Sequence, residues 1–283
     1  MKAEGIVLGV GAPNQCRDGK KTMCAIVLCE THGLIRVYPI PAQCEFPVWS
    51  SISMDLERSL TDNRGESFKL ISFELGKGIS DSNEKRDILN ACCIKTGTLD
   101  PIQYCNEQRS SIAIVKPAHH SISGSLSPRT PVISREDDEY SWVLTQGQHW
   151  QKPYIEWDSE QGVSHKTHIV GREVYMGLLN NPTSPWRVME NMRLLSPDYE
   201  HWVLLGNMKD RRNIWVGVHI HRLKKQTGGS IPPFFSILDG KPEGWPYLSQ
   251  ETTNVHIVDD QQLLFTTYGM TSTDFRGNTQ TMH

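Results

Sequence analysis

The segment from Cys24 to Pro41 constrains the fold of this 283-residue chain more than any other stretch. It contains two runs rich in Ile, Val and Leu, and His32 and Gly33 separate them. Runs of β-branched residues on either side of a short turn are typical of a β-hairpin. We therefore predict two paired strands in which Arg36 and Tyr38, two positions apart, lie on the same face.

Strand patterns recur along the rest of the chain, as short apolar runs or as alternation of apolar and polar residues. The further predicted strands are 5–10, 52–58, 67–75, 110–115, 201–206, 214–220, 254–258 and 263–268. Helices are predicted at 81–93 and around 187–194, each after a residue pattern typical of a helix start.

These patterns predict a mainly β (β-rich α+β) protein built from two small OB-like or related barrel modules with a few short helices. The N-terminal barrel-like module is predicted at 1–116 and the C-terminal β-rich module at 140–283. Residues 117–139 are rich in Ser, Pro and charge, which is typical of a linker or a mobile loop. No internal repeat is evident in the sequence.

Composition narrows the classes of function. A net charge of −3 argues against a protein that coats DNA through bulk positive charge, but a local basic patch remains compatible with it. The seven cysteines all lie in the first half of the chain and have no C-x-x-C spacing, so we expect reduced thiols and a cytoplasmic protein. No apolar run approaches the roughly 20 residues that span a bilayer, so no membrane partner is expected.

Two groups of basic residues are candidates for binding a polyanion. Arg36 beside Tyr38 can hold a phosphate and stack a base, although Arg36 could equally pair with Glu30. The most basic part of the chain is the segment Lys209–Arg212 together with a second basic group, Arg222, Lys224 and Lys225. It could equally be a solvated turn and an edge strand that lysines protect from further pairing.

The side chains predicted to contact nucleic acid therefore come from both modules. They are Arg36, Tyr38, Arg58, Arg64, Lys69, Lys209, Arg211, Arg212, Arg222, Lys224 and Lys225. Those from the first module would lie near one groove of a barrel, although Arg58 and Lys69 could instead face solvent. Lys209–Arg212 lies in the turn between the predicted strands 201–206 and 214–220. The second basic group would lie at the other end of this hairpin.

Catalytic motifs are weak. The sequence has no G-x-S-x-G elbow and no P-loop, and Gly9-Val-Gly11 lacks the third glycine of a dinucleotide fingerprint. We therefore predict no catalytic residue, no cofactor and no metal. A metal-dependent nuclease remains an alternative. Its candidate residues are Glu156, Asp158, Glu160, His165, Lys166, His168 and Glu173, and the pairs His219/His221 and His119/His120 are further possible metal ligands.

Two segments of the chain resemble a family of proteins. Ile35–Pro39, followed by Trp49 and Arg64–Lys69, resembles the opening of an uncharacterised prokaryotic family, and the hairpin containing His201–Asn207 and Trp215–His219 has a similar character. The pattern is similar to proteins with paired OB-like barrels and to accessory components of mobile-element or defence loci. The resemblance implies that a curved strand face binds single-stranded nucleic acid.

The sequence thus predicts a non-catalytic nucleic-acid-binding accessory protein, a subunit or adaptor of a larger complex, with single-stranded DNA or RNA as its partner. A protein partner is also possible. A third hypothesis is a protein-interaction scaffold in which Trp142, Trp150, Trp157 and Trp186 are exposed.

Overall fold

A computed structural model describes residues 1–15, 20–59, 62–128, 151–181 and 184–226, together with the backbone of 253–257 and 263–267. The strands are β1 (Lys2–Val10), β2 (Asn14–Gln15), β3 (Lys21–Cys29), β4 (Gly33–Pro41), β5 (Ser50–Arg58), β6 (Ser67–Gly78), β7 (Ile112–Val115), β8 (Ser123–Pro128), β9 (Gln151–Asp158), β10 (Ser164–Ile169), β11 (Tyr199–Asn207), β12 (Trp215–Lys224), β13 (Thr253–Ile257) and β14 (Leu263–Thr267). The helices are α1 (Ser82–Cys92), α2 (Pro101–Glu107), α3 (Arg172–Asn180) and α4 (Trp186–Asn191). The predicted mainly β architecture is confirmed.

The first five long strands close into a barrel. Its order is β1–β3–β4–β6–β5, and the pairing of β5 with both β6 and β1 closes the ring. The β4–β6 pair is parallel and the others are antiparallel. Numbered along the chain, this is the order first–second–third–fifth–fourth with a parallel third–fifth pair, which is the strand order of an OB-fold.

The hairpin of β3 and β4 follows the predicted alternation. Val27 and Ile35 point into the barrel, where side chains such as Phe73 complete the core, whereas Ile26 and Leu28 point outward. Gly33 turns the chain at a φ of +66°, in the left-handed region that glycine occupies without strain. The hairpin therefore contributes one face to the barrel core and a second apolar face that needs another partner.

The second sheet has the order β7–β11–β12–β10–β9–β8. β7 and β8 are consecutive in the chain and lie at its two ends. Taken as two halves of one first strand, interrupted at residues 116–122, they give the same first–second–third–fifth–fourth order as the barrel. The third and fifth strands, β10 and β12, are again parallel. The two units thus share one strand order.

The extent of the second unit differs from the predicted boundaries. β7 falls within the predicted first module but pairs with β11. β8 falls within the predicted linker but pairs with β9. β13, from the predicted second module, pairs with β6 of the first sheet. The second unit therefore begins before residue 116, because a first strand broken by a loop looks like a strand followed by a linker in the sequence.

The two units pack through a shared apolar layer. The outward side chains Ile26 and Leu28 of the barrel meet Trp202, Leu204 and Val218 of the second sheet. Trp202 and Leu204 are fully buried there. This contact covers part of the outer face of β3 and β4 and leaves the rest uncovered at one end.

Within the described residues, no helix is long and apolar enough to span a lipid bilayer.

Candidate nucleic-acid interface

A cleft of about 340 Å³ lies where the outer face of β3 and β4 emerges from beneath the second unit. Its barrel side consists of these two strands, the start of β6 and described residues of the loops after β1 and β5, among them Gly11, Asp62 and Arg64. Its other side consists of Val170 and the facing ends of β11 and β12. In an OB-fold, the face of the second and third strands and the loops beside it bind oligonucleotides and oligosaccharides. The cleft, which we call the inter-barrel cleft, therefore lies on the face of the first barrel that corresponds to the ligand face of OB-folds.

Arg36 lies in the wall of the inter-barrel cleft with only 6% of its surface exposed. Its Nη2 donates to the carbonyl oxygen of Ser111 at 2.9 Å, and its Nη1 lies within hydrogen-bond distance of the Ser111 and Ser67 hydroxyls. Among the described residues, no carboxylate lies within ion-pair distance of it. Burial, and next the neighbouring charge of Arg64, lower the pKa of Arg36 to about 10, and it remains a cation at neutral pH.

Arg64 supplies a second guanidinium to the cleft, and Asp62 accompanies it. Nε and Nη2 of Arg64 donate to both carboxylate oxygens of Asp62, and Nη1 donates to the carbonyl oxygen of Asn207 at 2.7 Å. Burial alone would raise the pKa of Asp62, but the hydrogen bonds and the charge of Arg64 lower it to about 2. Arg64 is therefore neutralised locally and connects the barrel to the second unit.

Tyr38 and Lys209 are the accessible members of the cleft. Tyr38 is 43% exposed, and its hydroxyl accepts a hydrogen bond from Thr22 at 3.1 Å. Lys209 is exposed at the opposite wall, in the turn between β11 and β12. Asp62 is the one carboxylate among the described lining residues, so Arg36, Arg64 and Lys209 leave the cleft positively charged.

The other residues predicted for the first module lie outside the lining of the cleft. Arg58 donates to the carbonyl oxygen of Gly65 and lies 5.9 Å from the centroid of the Phe68 ring. Lys69 lies 3.9 Å from Glu57 on the outer side of β5 and β6. Arg58 therefore borders the cleft through Phe68, which lines it. Lys69 is exposed on the outer side of the barrel, in line with its solvent-facing alternative.

The basic turn has a partly structural role. Nη2 of Arg212 donates to the backbone and side-chain oxygens of Asn63, which joins the 59–66 loop to the β11–β12 turn. Arg211 is exposed beside it and is outside the lining. Of the predicted turn residues, Lys209 is therefore the one that lines the cleft.

Arg222, Lys224 and Lys225 lie at the far end of the β11–β12 hairpin, as predicted. Arg222 lies 3.7 Å from Glu173, and the side chain of Lys225 lies 3.1 Å from His119. The Lys224 carbonyl oxygen accepts a hydrogen bond from Arg86. These three do not join the cleft, because the length of the hairpin separates them from Lys209.

The residues proposed for a nuclease do not form one cluster. Glu156 pairs with Lys166 at 2.7 Å, and Asp158 accepts a hydrogen bond from Ser164. His165 pairs instead with Asp100. Across the described ranges, no three His, Cys, Asp or Glu side chains are grouped so that they could hold a metal ion.

His219 and His221 lie in the interface between the two units. Their rings are 4.6 Å apart, and the His221 ring lies 4.9 Å from that of Trp49. Burial lowers the pKa of both, so both are neutral at neutral pH. They are part of the packing between the units rather than of the cleft.

The tryptophans of the scaffold hypothesis separate into three cases. Trp157 is 2% exposed and donates to Thr167 inside the second unit, so its predicted exposure is wrong. Trp186 is 57% exposed, as predicted. Trp142 and Trp150 lie outside the described residues.

Cys24 lies in the cleft but is not a nucleophile. Burial raises the pKa of its thiol against the opposite effect of Arg36 and Arg64. A thiol with a raised pKa is protonated at neutral pH and unreactive. Among the described lining residues, the cleft offers guanidinium, ammonium and aromatic groups that can bind an anionic ligand.

Comparison with known proteins identifies one related region. Residues 1–90 match a family described as a domain of unknown function, DUF8758. The matched region contains the whole first barrel, including Arg36, Tyr38 and Arg64, and most of α1. No curated protein matches the chain. The second wall of the cleft, with Lys209, lies outside the matched region.

Two residues that shape the cleft were missed in the sequence. Ser111 holds Arg36, and nothing in its local sequence indicates a contact with a strand 75 positions away. Gly206 lies opposite Arg36, where an added Cβ would be 3.1 Å from Nη2. A glycine inside an otherwise apolar strand often marks the close approach of another group, so Gly206 did carry a signal.

Proposed function

We propose that this protein binds single-stranded nucleic acid in the inter-barrel cleft without cutting it, as an accessory subunit or adaptor beside an enzyme. The observation that carries the proposal is the buried Arg36 guanidinium, which lines the cleft and hydrogen-bonds only neutral partners among the described residues. The charges of Asp62 and Glu66 act on Arg36 from a distance, but Asp62 pairs with Arg64 and Glu66 accepts hydrogen bonds from Ser111. A buried charge that no carboxylate contacts directly is costly. An anion in the cleft would compensate it.

Phosphate is the anion that suits this cleft. A guanidinium presents several donors in a planar fork that matches phosphate oxygens. Tyr38 adds an exposed ring on the same strand as Arg36, and an aromatic ring beside a cation is the usual combination for holding a base and its phosphate. The pair therefore favours a nucleotide chain over a simple inorganic anion.

The size and position of the cleft favour a single strand. Its volume of about 340 Å³ lies within the range of about 300–1,000 Å³ that is typical of ligand pockets. An extended single strand can present an unpaired base to the exposed Tyr38 ring, whereas the faces of the bases in a duplex are already stacked on one another. The OB strand order supports the same ligand class.

The proposal is tested by measuring oligonucleotide affinity, by fluorescence anisotropy, for variants of the two accessible cleft residues. Tyr38→Ala should weaken binding by about 1–3 kcal/mol, the contribution of one stacked base. Lys209→Ala should weaken it less and similarly for all sequences. Lys69→Ala, an exposed lysine outside the cleft, is the matched control and should bind as the wild type. Wild-type affinity in both cleft variants would refute the proposal.

A second candidate function, a scaffold for a protein partner, is favoured by Trp186, the first residue of α4, which is 57% exposed. Exposed tryptophan is frequent in the centre of protein interfaces. A purified chain that ignores every oligonucleotide at low salt and binds one protein in fixed stoichiometry would favour this function over the first.

A further inference from the structure

One cross-strand row of residues runs from the inter-barrel cleft across the outer face of the second sheet. The strand register places Gly206 opposite Val216, Val216 opposite His168, and His168 opposite Tyr154. Residues directly opposite one another in a sheet project from the same face. Gly206 and Val216 line the cleft. His168 and Tyr154 therefore continue the cleft surface onto the second unit.

The far part of this row is aromatic. The rings of Tyr154 and His168 are 5.3 Å apart and inclined by 40°. The Nζ of Lys166 lies 5.4 Å from the Tyr154 ring centroid and is exposed. Aromatic rings with an adjacent cation on a sheet surface are the elements with which proteins bind single strands without sequence preference.

The same row lies on the corresponding face of the second unit. β9 and β10 are its second and third strands, as β3 and β4 are in the first barrel. In the barrel, the outer face of β3 and β4 carries Arg36 and Tyr38, and in the second unit the outer face of β9 and β10 carries Tyr154 and Lys166. The two ligand faces are therefore joined through Val216 in one surface.

We infer that a single strand leaves the cleft along this row and that Tyr154 and His168 stack its bases, so that both units hold one nucleic-acid strand. This inference rests on the proposed function and specifies its strand state and its footprint. A site of this kind favours single strands, because the faces of unpaired bases are available to the rings.

The ion pair between Glu156 and Lys166 predicts the direction in which one substitution should change binding. Its carboxylate lies 2.7 Å from Lys166, and both side chains are exposed. An exposed ion pair contributes little to stability. A phosphate on the row would compete with Glu156 for Lys166 and would be repelled by it. Removing the carboxylate should therefore strengthen binding, which a merely structural role of this ion pair would not produce.

The test compares short and long oligothymidylates, of about four and about twelve nucleotides, on the full chain; an OB-fold covers about 4–16 nucleotides. The wild type should bind the long oligonucleotide at least about tenfold more tightly. Tyr154→Ala should lower that affinity by about five- to 100-fold and leave the short oligonucleotide unchanged. Tyr154→Phe should retain wild-type affinity for both lengths.

Glu156→Gln changes an exposed side chain of similar size and should raise affinity for the long oligonucleotide alone. Equal affinity of the wild type for both lengths, with no effect of Tyr154→Ala or Glu156→Gln, would overturn this inference and leave the cleft site standing. Failure of the wild type to bind either length would instead overturn the proposed function.

Discussion

A buried guanidinium without a carboxylate partner, such as Arg36, lowers the stability of a folded protein because its charge has lost its hydration. The lowering of its pKa to about 10 corresponds to about 3 kcal/mol against the charged form. Two serines and a carbonyl oxygen hold it in place. This arrangement is expected where a charge is kept for a ligand at the expense of stability.

Replacement of Arg36 should therefore weaken oligonucleotide binding without lowering the free energy of unfolding. Arg36→Met removes the charge and keeps most of the volume, so the free energy of unfolding should stay unchanged or rise by about 1–4 kcal/mol. Oligonucleotide affinity should fall at least about tenfold. Urea denaturation and anisotropy on the same preparation measure both. A large loss of stability with affinity retained would identify Arg36 as a structural link between the units instead.

His221 makes the contact between the two units sensitive to acid. Burial is the main cause that lowers the pKa of His221, and the positive charges of a protonated His219 and of Lys85 lower it further. A hydrogen bond to the backbone of Leu8 has the opposite effect on this pKa. The folded state therefore binds the proton less well than the unfolded chain, in which the pKa of histidine is about 6.5. Its contribution to stability is complete above that pH and is lost as the pH falls below it.

The variant His221→Phe should reduce this acid sensitivity. A phenyl ring can keep the contact with Trp49 but cannot be protonated. We expect the melting temperature of the wild type to fall between pH 7 and pH 5 more steeply than that of the variant. His120→Gln, at an exposed position, serves as the control and should follow the wild type. Parallel curves for the wild type and His221→Phe would contradict this assignment.

Among single residues, the sequence predicted which side chains lie in the cleft better than it predicted their burial and their hydrogen-bond partners. The two-residue spacing of Arg36 and Tyr38 correctly placed both on one face of β4. Burial of Arg36 could not be predicted, because it depends on Ser111 and the second unit. The proposed Glu30 partner and the solvent-facing alternative for Arg58 and Lys69 likewise depend on the barrel closure, which single-strand patterns do not contain.

At the scale of elements, the cleft depends on how closely β11 approaches β4. An added Cβ at Gly206 would be 3.1 Å from Nη2 of Arg36 and 3.3 Å from Val218. Gly206→Ala should therefore shift the guanidinium and weaken oligonucleotide binding several-fold while the fold is retained. Gly217→Ala is the matched control on the neighbouring strand, where the nearest atoms are 3.8 Å away. Equal affinities for these two variants would show that the β11–β4 spacing does not control binding.

Hairpins were the elements that the sequence predicted best, because both strands and the turn are local. The pairs β3–β4 and β11–β12 form as predicted, and the predicted strands 52–58 and 67–75 pair with each other as β5 and β6. The helix α1 lies within the predicted range 81–93, and the Asp81 side chain caps it by accepting a hydrogen bond from the backbone N–H of Asn83. α2 and α3 were not predicted, since they are short and each buries only a few side chains. α2 nevertheless carries a start signal, Asp100 before Pro101.

At the scale of the whole molecule, the repeated strand order could not be predicted. The first strand of the second unit is divided into β7 and β8, and the loop between them conceals the correspondence with the undivided β1. The relative position of the units depends on outward apolar residues such as Ile26 and Trp202, which local patterns assign equally well to a core. The cleft is thus a property of the assembled pair.

We propose that the two units together form a phosphate-binding cleft for single strands. The most direct test is the affinity of the full chain for a single-stranded oligonucleotide and for its duplex across a range of salt concentrations. We expect a preference for the single strand and a logarithmic salt slope of about −0.7 for each phosphate contacted. Affinity that is absent at low salt, or equal for duplex and single strand and independent of salt, would contradict it.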